Sequence, residues 1–202
     1  MEKDFVYGTL QGDALRINPA ELAARLQAEK GFTNDLVERC KEQLFEALDC
    51  RYAGRLVKVA CDQDTVDLSF AKVHSHSLSR NLEGCREAFV FAVTLGMGVE
   101  RLLNRLSLLS ESEFFITDAL ASAVAEAACD RAAEAIAKDK VCKPRFSPGY
   151  GDLELELQSE ILKLVHGQKL LGITLTPSLL MVPMKSITAI MGVCHEEHTR
   201  GN

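Results

Sequence analysis

The stretch RFSPGY at 145–150, together with LTPSLLMVPMKSITAI at 175–190, is the clearest indication of how this chain folds. Proline, glycine and serine are concentrated around the first stretch, and these residue types favour an ordered, irregular loop. The second stretch is predicted to form extended segments that are interrupted at Pro177 and Pro183. The sequence therefore predicts a loop at 143–152, a short helix at about 156–165 and a final strand at 186–193.

A long helix is predicted immediately before this loop, at about 111–138. Ser110 and Glu113 have the spacing of a capping box, in which side chains satisfy the free backbone N–H groups at a helix start. Small residues recur with helical spacing along one side of this helix, which indicates a smooth face that packs closely against a sheet. These residues are Ala121, Ala125, Ala128, Ala132 and Ala135.

Strands are predicted mainly in the first half of the chain. EAFVFAVTLG at 87–96 is apolar enough for a strand in the centre of a sheet. RLVKVAC at 55–61 and TVDLSFA at 65–71 are predicted as two shorter strands, joined by a hairpin turn at CDQD. Further helices are predicted at about 18–30, 34–48 and 99–109. The predicted fold class is α+β, a mostly antiparallel, twisted sheet with flanking helices.

The composition indicates one domain with a sizeable core. The chain has 202 residues, of which 47% are hydrophobic. We divide this single domain into an N-terminal helical and hairpin part, about 1–85, and a part with the two stretches above, about 86–194. A net charge of −6 excludes a nucleic-acid binder that neutralises phosphates with clustered basic residues. The first residues are polar and no apolar stretch approaches the ~20 residues of a membrane span, so a cytoplasmic protein without membrane contact is expected.

Three other patterns are interpreted as structural. The seven cysteines are irregularly spaced, which favours reduced thiols in the core of a cytosolic protein over disulfides or a zinc ribbon. Cys194, His195 and His198 could share a metal ion, but chain ends fray, and we predict no metal site. Gly96-Met97-Gly98 is predicted to be a tight turn between a strand and a helix, because Arg101 stands at the third glycine of a dinucleotide-binding fingerprint.

The loop around RFSPGY combines groups that suit a zwitterionic, positively charged ligand. Arg145 offers a planar guanidinium fork for a carboxylate. Gly149 lets a ligand approach the backbone closely, and Pro148 stiffens the loop before binding. Tyr150 offers an aromatic face for a cation and a hydroxyl for a second ligand. From these residues alone, a structural loop with an exposed arginine is an equally open interpretation.

RFSPGY resembles the RxxxGY loop of the activation (reactivation) domain of vitamin B12-dependent methionine synthase. The second stretch is similar to a Leu-Thr-x-Ser…Met-x-Pro…Ser pattern of that domain, and the resemblance extends over about 115–193. Two linked motifs in the right order are more specific than either motif alone, and they predict the fold of that activation domain in a free-standing homologue. The matching positions of the second motif are Leu175, Thr176, Ser178, Met181, Pro183 and Ser186.

The resemblance implies that S-adenosylmethionine binds in a shallow groove along the sheet. In the family, the loop arginine and nearby backbone groups hold the amino-acid part of this ligand, and the tyrosine lies toward the cobalamin. By resemblance, Tyr150 has the catalytic role and faces the corrin. The ligand-binding residues implied are Arg145, Phe146, Ser147, Gly149 and Tyr150, with Ser178, Met181, Pro183 and Ser186 as a secondary motif.

The chain departs from the family's pattern at three points. Gly151 stands where the family has proline. Ile190 and Met191 stand where it has an aromatic pair, which removes one expected contact to the adenosine or ribose. The corrinoid-binding motif DxHxxG is absent from the sequence. By resemblance, the cobalamin is therefore expected on another polypeptide.

The implied function is to support reductive methylation, or reactivation, of cobalamin on a separate B12-dependent methionine synthase or other corrinoid protein. S-Adenosylmethionine would donate the methyl group, and an electron donor such as flavodoxin or ferredoxin would take part. The alternative is a non-catalytic binding module that braces a corrinoid methyltransferase or binds another small ligand, and loss of the aromatic pair favours it. A methyltransferase for some other substrate is a third interpretation, but Asp152 and Glu154 are more typical of a helix start than of a general base.

Overall fold

The structure is a computed structural model that describes residues 4–15, 17 and 33–194. Its elements are β1 (Phe5–Thr9), α1 (Asn34–Glu46), β2 (Arg51–Lys58), β3 (Ala60–Asp62), β4 (Thr65–Asp67), β5 (Lys72–His74), α2 (His76–Asn81), β6 (Glu87–Thr94), α3 (Met97–Leu109), α4 (Glu111–Ala137), α5 (Leu157–Leu164), β7 (Thr174–Leu175), β8 (Met181–Val182) and β9 (Ser186–Gly192). A 3₁₀ turn at Gly12–Ala14 and a π-helix at Gly167–Leu171 complete the chain order. The helix predicted at about 18–30 lies outside the described residues.

Four strands form an antiparallel sheet in the order β1-β2-β6-β9. β6 lies between β2 and β9, and seven of its eight residues are buried, which confirms that EAFVFAVTLG forms a central strand. Its side chains alternate between two cores. Phe89, Phe91 and Val93 face the core formed with α1, α3 and α4, whereas Ala88 and Val90 face the core formed with α2 and α5. Helices therefore cover both faces of a mainly antiparallel sheet, and the predicted α+β class is confirmed.

The prediction of RLVKVAC as one strand is wrong. Its first four residues end β2, whereas Ala60 and Cys61 belong to β3 in a separate three-stranded sheet with β4 and β5. The division falls at Val59, whose backbone N–H donates to the carbonyl of Arg86 at 2.8 Å. This bond continues the register in which Lys58 pairs with Glu87, and the chain then enters the other sheet at Ala60.

The hairpin predicted at CDQD does form between β3 and β4. Its turn lies at Gln63, with a φ of 52°, so that Cys61 and Asp62 still belong to the strand. β4 is shorter than the predicted strand TVDLSFA, because the chain turns at Ser69 with a φ of 65°. The Asp67 carboxylate accepts the backbone N–H of Ser69 at 2.8 Å and stabilises this turn.

α4 is the long helix that the sequence predicts before the loop. The Ser110 hydroxyl oxygen accepts the backbone N–H of Glu113 at 3.4 Å, as in the predicted capping box. The backbone N–H of Ser110 donates instead to Leu106 at the end of α3, because α3 and α4 share Ser110 as a cap. The predicted alanine face is confirmed: Ala121, Ala125, Ala128 and Ala132 are buried, and Ala135 packs against the same core.

The turn from β6 into α3 is as tight as predicted. Gly96 has a φ of 89°, which favours glycine, and it precedes the first residue of α3. A Cβ atom at Gly98 would collide with the backbone carbonyl of Ala47, so this position needs glycine for the close approach of α3 to the end of α1. Among the helices of residues 33–194, none is long and apolar enough to cross a membrane.

Candidate functional site

A groove of about 870 Å³ lies between α4, the segment 143–150 and β9. Both sequence motifs contribute to its wall, although α5 and the π-helix separate them along the chain. Six of the predicted site residues line this groove: Arg145, Phe146, Ser147, Tyr150, Met181 and Ser186. The other three predicted residues, Gly149, Ser178 and Pro183, lie outside its lining.

The segment that carries Arg145 runs along β9 in the manner of an added strand. The backbone N–H of Phe146 donates to Ile190 at 2.8 Å, and the N–H of Ile190 donates back to Phe146 at 2.8 Å. The N–H of Lys143 donates to Gly192 at 2.8 Å. These backbone bonds fix the point from which the Arg145 side chain extends across the groove wall to α4.

Arg145 is held by two carboxylates of α4. Its Nη2 lies 2.8 Å from Oε2 of Glu126 and 2.9 Å from Oδ1 of Asp130. The two acids are four residues apart and therefore share one side of the helix. The Arg145 side chain is only 27% exposed, which shields these ion pairs partly from water. The guanidinium that we predict to bind a ligand carboxylate thus already has carboxylate partners within the chain.

Three further residues, which the sequence motifs do not indicate, belong to this site: Glu126, Asp130 and Gln158. All three line the groove. Gln158 is buried, and its Nε2 donates to the carbonyl of Leu179 at 2.7 Å, which joins α5 to the turn between β7 and β8. In the sequence, Glu126 and Asp130 stand out only by their spacing of four residues, which places two acids on one side of a helix. This spacing does not indicate which basic residue pairs with them in the fold.

Tyr150 closes a turn at the mouth of the groove. Its backbone N–H donates to the carbonyl of Ser147 at 3.1 Å, and the N–H of Gly149 donates to Leu153 at 2.9 Å. Gly149 has a φ of 85°, so it supplies the backbone conformation of the turn. The Tyr150 side chain is 71% exposed, and its ring meets that of Phe146 edge-on, with 6.4 Å between the centroids. A large aromatic surface is therefore presented to solvent beside the groove.

Asp152 anchors this turn to α2. Its carboxylate accepts the Ser75 hydroxyl at 2.6 Å and the backbone N–H groups of His76 and Ser77 at 2.8 and 3.1 Å. The hydrogen bond from Ser75, with those from Ser77 and His76, holds the pKa of Asp152 well below its usual range. The expectation that Asp152 serves a helix start is met at α2, and its carboxylate is not arranged as a general base.

The departure at Gly151 has a structural reason. This residue has a φ of 56°, whereas proline is restricted to a φ near −65°. A Cβ atom there would also lie 2.8 Å from the Ser77 hydroxyl oxygen. The chain that leaves Tyr150 therefore follows a path that the family's proline could not adopt, and this path brings Asp152 to α2.

The second motif forms a short hairpin of β7 and β8. Ser178 is exposed in its turn, where its hydroxyl lies 3.0 Å from that of Thr176. Thr176 accepts the backbone N–H of Leu180 at 3.0 Å through its hydroxyl oxygen. These contacts shape the turn, and Met181 is the residue of the hairpin that reaches the groove.

Pro183 and Ser186 connect this hairpin to the main sheet. Pro183 is buried and follows a cis peptide bond from Val182. The Ser186 hydroxyl is also buried, 2.7 Å from the carbonyl oxygen of Pro183 and 2.8 Å from the hydroxyl of Thr94 on β6. Ser186 therefore joins the start of β9 to β6, in addition to lining the groove.

The two positions where the family has an aromatic pair differ in orientation. Ile190 is fully buried in the core with α2 and α5. Met191, on the opposite face of β9, lines the groove beside α4. Of these two residues, only Met191 therefore presents its flexible, apolar thioether to the groove.

The cysteines are free thiols, and four of the seven are buried. Burial raises the pKa of Cys50 and of Cys129 to about 12. Within the described ranges, no group of three or more His, Cys, Asp or Glu side chains could hold a metal ion. Cys194 is described, whereas His195 and His198 lie outside the described residues.

Comparison with solved structures identifies the fold. No protein-family model matches the chain, and neither does any curated protein. The chain is similar to the crystal structure of the MetH reactivation domain bound to AdoHcy, with a TM-score of 0.68 and 16% sequence identity. The similarity covers 98% of this chain and 79% of that one. This chain has the fold of the MetH reactivation domain. The fold expected from the two motifs is therefore confirmed, over nearly the whole length of the sequence.

Proposed function

We propose that the groove binds S-adenosylmethionine and that the chain supports reductive methylation of cobalamin. The observation that carries the proposal is the meeting of both sequence motifs at one groove, in a fold whose MetH representative binds AdoHcy. The B12-dependent methionine synthase, or another corrinoid protein, would supply the methyl acceptor. No DxHxxG motif occurs in these 202 residues, so the corrinoid would be held outside them.

The groove has a suitable size and surface for a nucleoside that carries an amino-acid end. Its volume of about 870 Å³ is within the range of small-molecule sites, about 300–1,000 Å³. Met181, Ile187 and Met191 offer apolar surface to the adenosine. Arg145 offers a cation to the carboxylate at the other end.

Tyr150 is the residue of this chain that would meet the corrinoid. Its ring is exposed at the mouth of the groove, held on the Ser147–Tyr150 turn and supported by Phe146. A sulfonium is an activated methyl donor, so the chain mainly has to hold it near the acceptor and exclude water. AdoHcy is the product that leaves when the sulfonium has given up its methyl group, and an electron donor such as flavodoxin or ferredoxin would reduce the acceptor beforehand.

Equilibrium binding tests the first half of the proposal. Calorimetry with S-adenosylmethionine and with AdoHcy is expected to show binding to the wild type. Arg145→Ala should weaken it by about 2 kcal/mol, or roughly 30-fold in Kd, because a charge-assisted contact to the carboxylate is lost. Arg39→Ala, at an exposed position on α1, is the matched control and should bind like the wild type. A wild type that binds neither ligand would contradict the proposal.

The second candidate is a non-catalytic module of the same fold. The ion pairs of Arg145 with Glu126 and Asp130, and the methionine at 191, favour it because both change the expected ligand contacts. A corrinoid methyltransferase mixed with this chain and with methyl-labelled S-adenosylmethionine distinguishes the two. Label transfer to the corrinoid supports the accessory role in methylation, whereas co-purification without transfer supports the module.

A further inference from the structure

We propose that Glu126, Asp130 and Arg145 form an ion-pair latch that selects ligands with a complete zwitterionic amino-acid end. This inference rests on the proposed function, since it concerns which ligands of the S-adenosylmethionine class the groove accepts. It assigns roles in specificity to Glu126 and Asp130.

The latch is defined by geometry. One nitrogen of Arg145, Nη2, lies 2.8 Å from Glu126 and 2.9 Å from Asp130. All three side chains line the groove. The helix fixes the two acids one turn apart, and the backbone bonds between Phe146 and Ile190 fix the arginine. A ligand carboxylate that approaches Arg145 therefore meets a guanidinium that is already paired.

A ligand with a carboxylate and no ammonium group opens the latch at a cost. To reach Arg145 it must displace at least one of the two acids, which then remains near another anion in a partly shielded groove. Like charges this close repel, and the displaced acid also loses its charge-assisted hydrogen bond. Binding of the carboxylate is offset by these losses.

A zwitterionic ligand avoids this cost by exchange. Its carboxylate takes the guanidinium of Arg145, and its ammonium group takes Glu126 or Asp130. One acid then stays on Arg145 beside the ligand carboxylate and the displaced acid takes the ammonium group, so that none of the three anions is left without a cation. The side chains of Glu126 and Asp130 are 41% and 64% exposed, so water partly screens a displaced acid. The discrimination against a ligand without the ammonium group therefore amounts to about one lost charge-assisted contact.

A third acid of α4, Glu134, provides a comparison with Glu126 and Asp130. It lies one further turn along α4 and also lines the groove, but it pairs with Arg131 of the same helix. Neutralising Glu134 changes the charge of the wall without opening the latch. It is therefore the matched control for Glu126 and Asp130.

Two ligands and two variants test the inference. The ligands are AdoHcy and its deamino analogue, which keeps the carboxylate and lacks the ammonium group. Wild type should prefer AdoHcy by roughly 10–100-fold in Kd, the value of one charge-assisted contact. In Glu126→Gln/Asp130→Asn the preference should fall to within about threefold, mainly because the deamino analogue binds more tightly. Glu134→Gln should keep the wild-type preference.

A second measurement reports the latch without any ligand. Phenylglyoxal modifies free guanidinium groups, and peptide mass spectrometry locates the modified arginine. Arg145 should react several-fold faster in the double variant than in wild type or in Glu134→Gln, because its carboxylate partners are gone. Equal rates in all three proteins would show that the latch does not form.

The remaining outcomes separate the inference from the proposed function. If wild type binds both ligands equally well, the proposed function stands and the selection by the latch is overturned. If the double variant loses affinity for both ligands by the same factor, Glu126 and Asp130 only position Arg145. If wild type binds neither ligand, the proposed function fails and the selection fails with it.

Discussion

In the segment 145–152, two of the three residues that match the RxxxGY pattern, Arg145 and Tyr150, line the groove. In the segment 174–186, most of the matching residues hold the backbone in shape. Arg145 and Tyr150 present charge and aromatic surface from a loop fixed by backbone bonds to β9. Ser178 instead lies in a turn, and Ser186 is buried between β6 and β9. The difference teaches that a motif can indicate a fold through residues whose hydroxyl groups bond within the chain. Burial and hydrogen bonding separate the two kinds of residue.

Ser186→Ala is the change that should most clearly show a structural role in the second motif. It removes a buried hydroxyl from Pro183 and Thr94 and should lower the free energy of unfolding by about 1–3 kcal/mol. Urea denaturation measures this change. Ser112→Ala, at an exposed position in the first turn of α4, is the control. A loss of ligand affinity as large as that of Arg145→Ala, with stability unchanged, would mean that Ser186 acts on the ligand.

Gly149→Ala tests whether the first motif also needs its backbone conformation. The φ of 85° disfavours any residue with a Cβ atom, and the expected loss of stability is roughly 1–2 kcal/mol. Gly84→Ala is a matched control, since its φ is 78° and a Cβ atom there would meet open space. Both variants should lose similar stability in urea, but only Gly149→Ala should also weaken AdoHcy binding. If both variants bind AdoHcy with the same affinity, the conformation of the turn at Gly149 does not contribute to ligand binding.

Asp152→Asn should change how stability depends on pH. The pKa of Asp152 is lower in the folded chain than in the unfolded one, so its ionised form stabilises the fold at any pH above the unfolded value of about 4. This contribution disappears as the pH falls from about 4 through the lower folded pKa. The difference in unfolding free energy between wild type and variant should therefore shrink as pH is lowered from 6 to about 2. Because this carboxylate is exposed, we expect a smaller effect than at Gly149.

Ser178→Ala should have the smallest effect of the series. Its hydroxyl is exposed and lies within hydrogen-bond distance of the Thr176 hydroxyl. The free energy of unfolding should therefore stay within about 0.5 kcal/mol of wild type. AdoHcy affinity should be unchanged, since Ser178 lies outside the groove lining. A marked loss of affinity would place Ser178 in the ligand site and remove the contrast with Arg145.

Some elements could be predicted because the residues that start, end or bury them are close together in sequence. The alanine face and the Ser110 cap predicted α4, and the run of apolar residues predicted β6. The proline and glycine content predicted the irregular loop from which Arg145 extends. In each case the deciding interactions connect residues that are neighbours in sequence.

The remaining features depend on contacts between distant residues. RLVKVAC is divided between two sheets, because its first four residues pair with β6 whereas Ala60 and Cys61 pair with β4, and no local pattern indicates this change of partner. The same holds for the contact of Arg145 with Glu126 and Asp130, because α4 and the loop must fold together before the two acids become its partners. The sequence therefore placed the arginine in the site and could not indicate what it binds in the folded chain.

The strand-like pairing of the segment 142–146 with β9 has a consequence for how the protein behaves in concentrated solution. An uncovered edge of an apolar strand is a template on which a second chain can add its own strand. β9 is the last strand of its sheet and most of its residues are buried. The bonds of Phe146 and Lys143 to Ile190 and Gly192 occupy part of that edge. The backbone that presents Arg145 to the groove is thus also a guard against self-association.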